Sequence, residues 1–419
     1  MTFAGYWSVI KPPTKSPFRG PMKIFPSTIG LGVTMTIGYG TLYYSFAVLA
    51  PEIAREFGWE ESFVFAIFSI GLLAGAVSAP IIGRMIDRFG ARSVMSAGSL
   101  FAAATLALIG VMQNAWQFAV LALMAEFVAI AVQYDAGFAA LAQRYGRNAR
   151  AEITLVTLIA GFASTVFWPL IQWLLTEMTW REVYLVLAAM NLLIALPIHL
   201  TMPKGRQTPP QMPTDATALP LVQSYRHVTG NRPMILLGVS LASGGFVLSA
   251  IGASLLILLD DIGFATATAT IAASCVGPSQ VAARLFEYTR RNHFSPPTTA
   301  IIAASAMVLG LALLGMTLVA LVPVFLFAFA VMYGVGQGLT SIVRGMLPLH
   351  YFGPEGYGRR TGMLAGFRMV LSAAAPFTII FLNERLGTAA AIGCLVVLSL
   401  LSMLSLLALV RLMDAKRPG

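Results

Sequence analysis

Charge is what this chain has least of. Of its 419 residues, 11% are Asp, Glu, Lys or Arg, where a soluble protein carries about 25%. Mean hydropathy is +0.80 and 58% of the residues are hydrophobic. A soluble core of this size does not need so much apolar surface; a chain whose solvent is mostly lipid does. Cysteine is scarce as well. Cys275 and Cys394 lie in apolar runs, far from any Cys-x-x-Cys pattern, so they read as small apolar side chains. Among His199, His227, His293 and His350 no two stand at a metal-ligand spacing, and no structural zinc or iron site is expected. No P-loop occurs, which argues against direct drive by ATP. No cofactor is expected.

What the chain has instead is apolar runs of roughly 20 residues, the length that crosses a hydrocarbon core of about 30 Å. They fall at 28–51, 62–83, 93–112, 116–143, 152–175, 182–201, 234–259, 264–286, 298–320, 322–345, 361–383 and 388–411. The runs lack the strict alternation of barrel strands, so they read as about twelve transmembrane helices. The formal net charge of +10 would suggest nucleic acid in a soluble protein, but topology explains it better. With the first residues placed inside, all but four of the 27 Lys and Arg fall in inner segments. The four are Arg55, Arg181 and Arg385 outside and Arg368 within a span. This asymmetry places both termini in the cytoplasm. Residues before the first span show no apolar h-region or cleavage site and read as a cytoplasmic tail, with a bacterial-type inner membrane the default location.

Residues 202–233 form the longest polar connection, with Pro203, Pro209, Pro210, Pro213 and Pro220. This reads as a linker. The expected division is a tail at 1–27, a six-helix bundle at 28–201, the linker at 202–233, a second six-helix bundle at 234–412 and a short tail at 413–419. Two six-helix halves about an inner linker are the layout of a secondary transporter built from parallel repeats. The repeat leaves a second trace: "GRMID" (83–87) and "ARLFE" (283–287) each place an Arg three residues before a carboxylate at the inner end of a half's second helix.

At residues 83–93, "GRMIDRFGARS", the chain resembles the major facilitator superfamily. That family's signature between its second and third helices is Gly-x-x-x-Asp-Arg-x-Gly-Arg-Arg. Here it reads Gly83, Asp87, Arg88, Gly90 and Arg92, with Ala91 in place of a base. The resemblance implies an all-α integral membrane fold of two pseudo-symmetric six-helix bundles. Asp87 can pair with bases of its own loop or accept from the N-terminus of a neighbouring helix, and Gly83 allows close helix approach. With Arg284 and Glu287 in the second half, these residues are expected to latch the halves in one state and release in the other.

Ionisable residues at membrane depth are costly and point to function. The fourth helix holds Glu126 and Asp135, nine residues apart, about 180° around a helix at 100° per residue. They are not expected to share a cavity: either Glu126 with Gln133, or Tyr134 with Asp135, faces the lumen. Either carboxyl, taken out of water, can carry a proton. On the tenth helix Tyr333, Gln337, Ser341 and Arg344 share one face, and Arg344 either ends that stripe or snorkels to the inner interface. Arg368 lies deeper and needs an anion. Tyr39 is expected to line the cavity. Trp168 is either cavity wall or packing.

The helix 5 stretch from Gly161 to Pro169 lacks the Gly-x-x-x-Gly-Pro-x-x-Gly pattern of the superfamily's drug/proton exporters. "RYGRNARAEITLVTLIAGFAS" (144–164) and "WRE" (180–182) are similar to bacterial monocarboxylate and oxalate-type carriers. Those carriers' helix 8 Asp-x-x-x-Arg pair is here Gln280 and Arg284. The expected function is secondary transport of a small organic solute, anionic for preference, coupled to protons through Glu126 or Asp135. The alternative is proton-coupled export of amphipathic or cationic compounds. An intramembrane enzyme would need a metal set or nucleophile pair that the chain does not offer. The expected partners are the small-molecule substrate, the proton and the bilayer, with a monomer as the working unit.

Overall fold

The computed structural model describes residues 26–203, 231–290 and 293–415. The tail at 1–25, the linker from 204 to 230, Arg291, Asn292 and the last four residues lie outside the described residues. Everything described is helix and short turn, arranged as twelve antiparallel crossings. In the first half, α1 runs through Pro26–Tyr39, a π-helical turn at Gly40–Tyr44, and Ser45–Phe57; α2 is Glu61–Phe89 and α3 is Ala91–Gly110. Then α4 comprises Ala115–Ala129 and Tyr134–Tyr145, α5 comprises Arg150–Ala160 and Ala163–Glu177, and α6 comprises Trp180–Met190, a π turn at Asn191–Ala195, and Leu196–Thr201. In the second half, α7 is Arg232–Ile262, α8 is Thr266–Ser274 with Val276–Arg290, α9 is Pro296–Met316, α10 is Pro323–Phe352, α11 is Tyr357–Leu386 and α12 is Thr388–Asp414.

Ten of these helices are long and apolar enough to cross a bilayer by length and composition. The other two crossings are α1 and α8, the latter carrying Gln280, Arg284 and Glu287. The backbone breaks in α4, α5 and α8 fall at membrane depth, where a freed carbonyl or amide is tolerated only inside protein or beside a water-filled space. Gly38 of α1 and Gly98 of α3 make room for the α4 break: a Cβ on Gly98 would stand 2.8 Å from Ala131 Cβ, and one on Gly38 3.0 Å from the Val132 carbonyl oxygen.

The halves are not equally close at their two ends. The face bearing Arg84, Arg144, Arg150 and Arg359 is called the basic face below. Near it, one buried apolar cluster contains residues of both halves, with Phe138 and Ile153 beside Ile342 and Met346. Toward the opposite face the two buried clusters, around Phe46, Phe118 and Trp180 and around Phe246, Leu255 and Phe329, each draw on one half only. The halves are therefore packed together at the basic face and parted beyond it. Along the interface α2 and α11 meet backbone to backbone. A Cβ on Gly83 would lie 2.0 Å from the Gly358 carbonyl oxygen, one on Gly362 2.3 Å from that of Ala79, and one on Gly366 2.7 Å from that of Ala76. Small residues at helical spacing on both sides create this approach.

Candidate functional site

Between the halves lies a cavity of about 900 Å³. Both Glu126 and Asp135 line it, which corrects the expectation that they point apart. The helical angle between them assumed one continuous helix. The turn at 130–133 breaks α4, and Gln133 adopts extended backbone (φ −99°, ψ −167°) before Tyr134 restarts it. Angular arithmetic does not carry across such a break. Gln133 and Tyr134 line the cavity too, so the four residues are not divided between two faces.

The two carboxyls have different surroundings. Asp135 faces Arg344 of α10, Oδ1 to Nε at 3.9 Å, an ion pair beyond hydrogen-bond length. The Arg344 guanidinium lies over the rings of Tyr134 (5.3 Å) and Phe138 (5.9 Å), a favourable placement for a cation. It therefore does not snorkel to the basic face. Its Nε and one terminal nitrogen are buried without a hydrogen-bond acceptor. Tyr39 packs on Tyr134 at 4.8 Å between ring centroids and also lines the cavity. Glu126 is 4% exposed, packs against Gly71 and Gly75 of α2, and its Oε1 has no hydrogen-bond partner. A carboxylate buried in this way is relieved by a proton or by an arriving cation.

Arg368 of α11 lines the cavity as well. Its stem lies over Gly245 of α7, where a Cβ would stand 2.6 Å from Arg368 Cγ. Its Nε is buried without an acceptor, and it shares a small recess with Asp135 and Arg344. Two further findings revise the expected site. Tyr333 does not line the cavity: it is 2% exposed, stacked on Phe329 at 5.4 Å and pressed against Gly310 of α9. Its companions Gln337, Ser341 and Arg344 do line it. Trp168 sits in α5, and its side chain lies outside the described residues.

Arg284, expected with the latch, is instead a cavity residue. It donates to the Gly338 carbonyl, the Thr157 carbonyl and Gln280 Oε1, each at 3.3 Å. Gly161 at the α5 break admits it; a Cβ there would overlap the guanidinium. The Thr157 carbonyl also accepts from Gly161 N–H and Tyr134 Oη, three donors for two lone pairs. Arg284 is thus 7% exposed and held by long bonds to neutral acceptors, with no ion pair to a carboxylate among the described residues. Gln280 completes the row by donating to Gln337 Oε1 at 2.7 Å.

The remaining latch residues divide between two contacts at the basic face. Asp87 accepts from the amides of Gly358 (2.9 Å) and Arg359 (2.7 Å), the first turn of α11. A carboxylate there meets free amides and the positive end of the helix. Gly83 lies at the closest point of that crossing, and Gly90 (φ 83°) turns the chain from α2 into α3. Arg88 lies over the ring of Phe89 (5.1 Å), and Arg92 points to a separate recess near α1. Glu287 pairs with Arg150 of α5, Oε1 to Nη2 at 2.5 Å, and accepts from Thr299 at 3.2 Å. Arg150 also donates to the Phe294 carbonyl. So the second helix of each half carries a carboxylate to the other half. Missed in the sequence were Arg150, Gly358, Gly362 and Gly366; the Gly-x-x-x-Gly-x-x-x-Gly run in "GRRTGMLAG" was the available signal.

The sequence profile of the Major Facilitator Superfamily matches residues 32–376. The chain belongs to this superfamily and is a membrane transporter, not an enzyme. It is 25% identical over 375 residues to human monocarboxylate transporter 11, covering 85% of this chain and 76% of that one. Among solved structures it is similar to the human organic anion transporter MFSD10 (TETRAN), with TM-score 0.69 and 15% identity over 91% of this chain and 100% of that one. It is also similar to the proton:xylose symporter XylE, with TM-score 0.67 and 13% identity over 92% and 96% of the two chains. At these identities the solved structures establish the fold.

Proposed function

We propose that this transporter is a secondary active carrier for a small organic anion, working by alternating access and coupled to protons. One observation supports it above the others. Three guanidinium groups, those of Arg284, Arg344 and Arg368, line the same cavity as two carboxyls, and among the described residues Arg344 alone of the three is ion-paired. The cavity has positive charge left over even with both carboxyls ionised, and a confined field of one sign selects the opposite charge. Arg368, with Arg344 and Arg284 near it, meets the anion; Tyr39, Gln133, Tyr134 and Gln337 supply the polar wall. Glu126 carries the proton, while Asp135 balances Arg344. The parted face admits substrate, and the Asp87 and Glu287 contacts open when the halves rock to the other state. The names of the similar monocarboxylate transporter 11 and organic anion transporter MFSD10 agree with an anionic substrate. The basic face is the cytoplasmic face of a cell inner membrane, the termini lie there, and the monomer is the unit.

Uptake of labelled organic acids into proteoliposomes under an imposed pH gradient tests this. The expected result is concentrative uptake of at least one acid, abolished by Arg368→Gln and by a protonophore. Uptake indifferent to both treatments overturns the proposal. Protonophore-sensitive transport of organic cations that survives Arg368→Gln supports export of amphipathic or cationic compounds instead.

A further inference from the structure

A second recess lies wholly within the first half, at the basic-face ends of α1, α3, α4 and α6. Its volume is about 320 Å³, and Thr28, Gly90, Arg92, Gln143, Arg144 and Tyr145 are among its lining residues. It shares no lining residue with the central cavity. We infer that this recess is a binding site for a phosphate-group anion.

Four observations support the assignment. The first is charge: two arginines line the recess and no Asp or Glu does. Neither Arg92 nor Arg144 forms an ion pair among the described residues. The second is an orphaned donor. Arg144 lies over the Tyr145 ring at 5.4 Å, and its Nε is buried without an acceptor. A guanidinium held in that way lacks the oxygen that its planar fork is built to bind.

The third is backbone. Gly90 turns the chain so that α3 begins beside the recess, and Gln143 accepts the Ala91 amide at 3.0 Å while donating to the Ile86 carbonyl at 2.9 Å. Gln143 thereby fixes the turn and occupies the first amide. Those of Arg92 and Ser93, also at the recess, have no carbonyl in their own helix to bond. Anions bind where such amides and a helix N-terminus converge. The fourth is what adjoins the recess in sequence. Residues 1–25 contain no Asp or Glu, and residues 204–230 contain one, Asp215, beside Lys204, Arg206 and Arg226. By sequence these adjoining segments are net basic and offer little counter-charge, so a ligand anion is the fitting source of it. Position narrows the source: four helix ends at the basic face lie where headgroups lie, and basic pockets at that level suit anionic phospholipids. A soluble phosphate offers the same oxygens.

The test uses the full chain, purified in mild detergent. Native mass spectrometry is run with phosphatidylglycerol, with phosphatidylcholine and with inorganic phosphate, on the wild type, Arg92→Gln/Arg144→Gln and Arg290→Gln. Arg290 is an exposed base on the same face of the other half. The wild type is expected to retain phosphatidylglycerol over phosphatidylcholine. The double variant should lose that preference by roughly 25-fold, about fivefold for each arginine, while Arg290→Gln keeps it. If inorganic phosphate is retained instead, with the same dependence on Arg92 and Arg144, the site stands and its ligand is soluble. Should the double variant fail to fold, each single variant should weaken retention, with Arg92→Lys/Arg144→Lys restoring part of it. Equal retention by wild type and variants, or equal loss in Arg290→Gln, overturns the inference.

Discussion

Arg344 and Asp135 face each other across the interface of the two halves, Nε to Oδ1 at 3.9 Å, with 18% and 12% of their side chains exposed. The pair joins α10 to the restart of α4, so it links the halves at the floor of the cavity. Removing one member leaves the other charged and largely buried. Asp135→Asn should destabilise the protein by on the order of 2 kcal/mol, below the 3–5 kcal/mol of a fully buried pair because both side chains reach the cavity. Asp135→Asn/Arg344→Gln should recover part of that loss. Thermal unfolding of the four proteins measures the coupling; strictly additive losses would show that the two charges do not interact.

The α2–α11 crossing leaves no room for a Cβ at Gly83 or Gly362. Gly362→Val should therefore push the helices apart at the basic face. A single cysteine placed near Gly358, in a chain with Cys275 and Cys394 replaced by Ser, reports this as faster alkylation. Gly263→Ala, at a position with open space around its Cβ but φ 102°, should cost stability through backbone strain alone and leave the alkylation rate unchanged.

Asp87 is the carboxylate at the first turn of α11. Asp87→Asn keeps a hydrogen-bond acceptor but removes the charge, a loss of about 0.5–1 kcal/mol at a helix N-terminus. The equilibrium between states should then shift by roughly two- to fivefold, away from the one closed at the basic face. The same alkylation assay reads it, and an unchanged rate would leave the charge with no part in closure.

On the opposite face, Arg181 donates to Glu56 at 2.7 and 3.1 Å and to the Met112 carbonyl at 2.7 Å, and Trp180 donates to the other Glu56 oxygen at 2.5 Å. Glu56 lies beyond the first apolar run, and the Arg181 hydrogen bonds hold its carboxyl below the usual glutamate range. A carboxyl lowered in the folded state adds stability above its unfolded pKa and loses it as pH falls through the folded value. Glu56→Gln should thus be slightly less stable than wild type at pH 7, and the gap should close as pH falls through the lowered glutamate value. The Glu56 side chain is 44% exposed, so salt should shrink the gap as well. Melting curves at pH 7 and pH 3.5, with and without about 0.5 M added salt, which shortens the Debye length to roughly 4 Å, decide it.

The fold was legible because lipid imposes it: runs of apolar residues and the placement of bases are strong one-dimensional signals. Asp87 and Gly83 were legible as a contact between halves for a similar reason, since a turn that serves topology alone needs neither. The cavity was less so. Whether Glu126 and Asp135 converge depends on four residues at 130–133 that contain neither Gly nor Pro. The room for that break is made by Gly38 and Gly98 on other helices, which no local pattern reports. Arg284 was placed by analogy with Arg84, yet Arg84 is exposed and bonded to its own helix at Pro80, while Arg284 reaches across to α5 because Gly161 leaves space. Tyr333 matched the polar stripe in spacing, but α9 packs against it and turns it into core.

The crossing of α2 and α11 consists of main chain against main chain from Ala76 to Gly83 and from Gly358 to Gly366. Such a surface has no teeth. Turning one half against the other along it disengages no knob from a hole and forces no rotamer to change, so resistance to the turn gathers at the rim. The long middle of the joint is left to act as a bearing, and a carrier built on it can reverse without melting any part of its own interior.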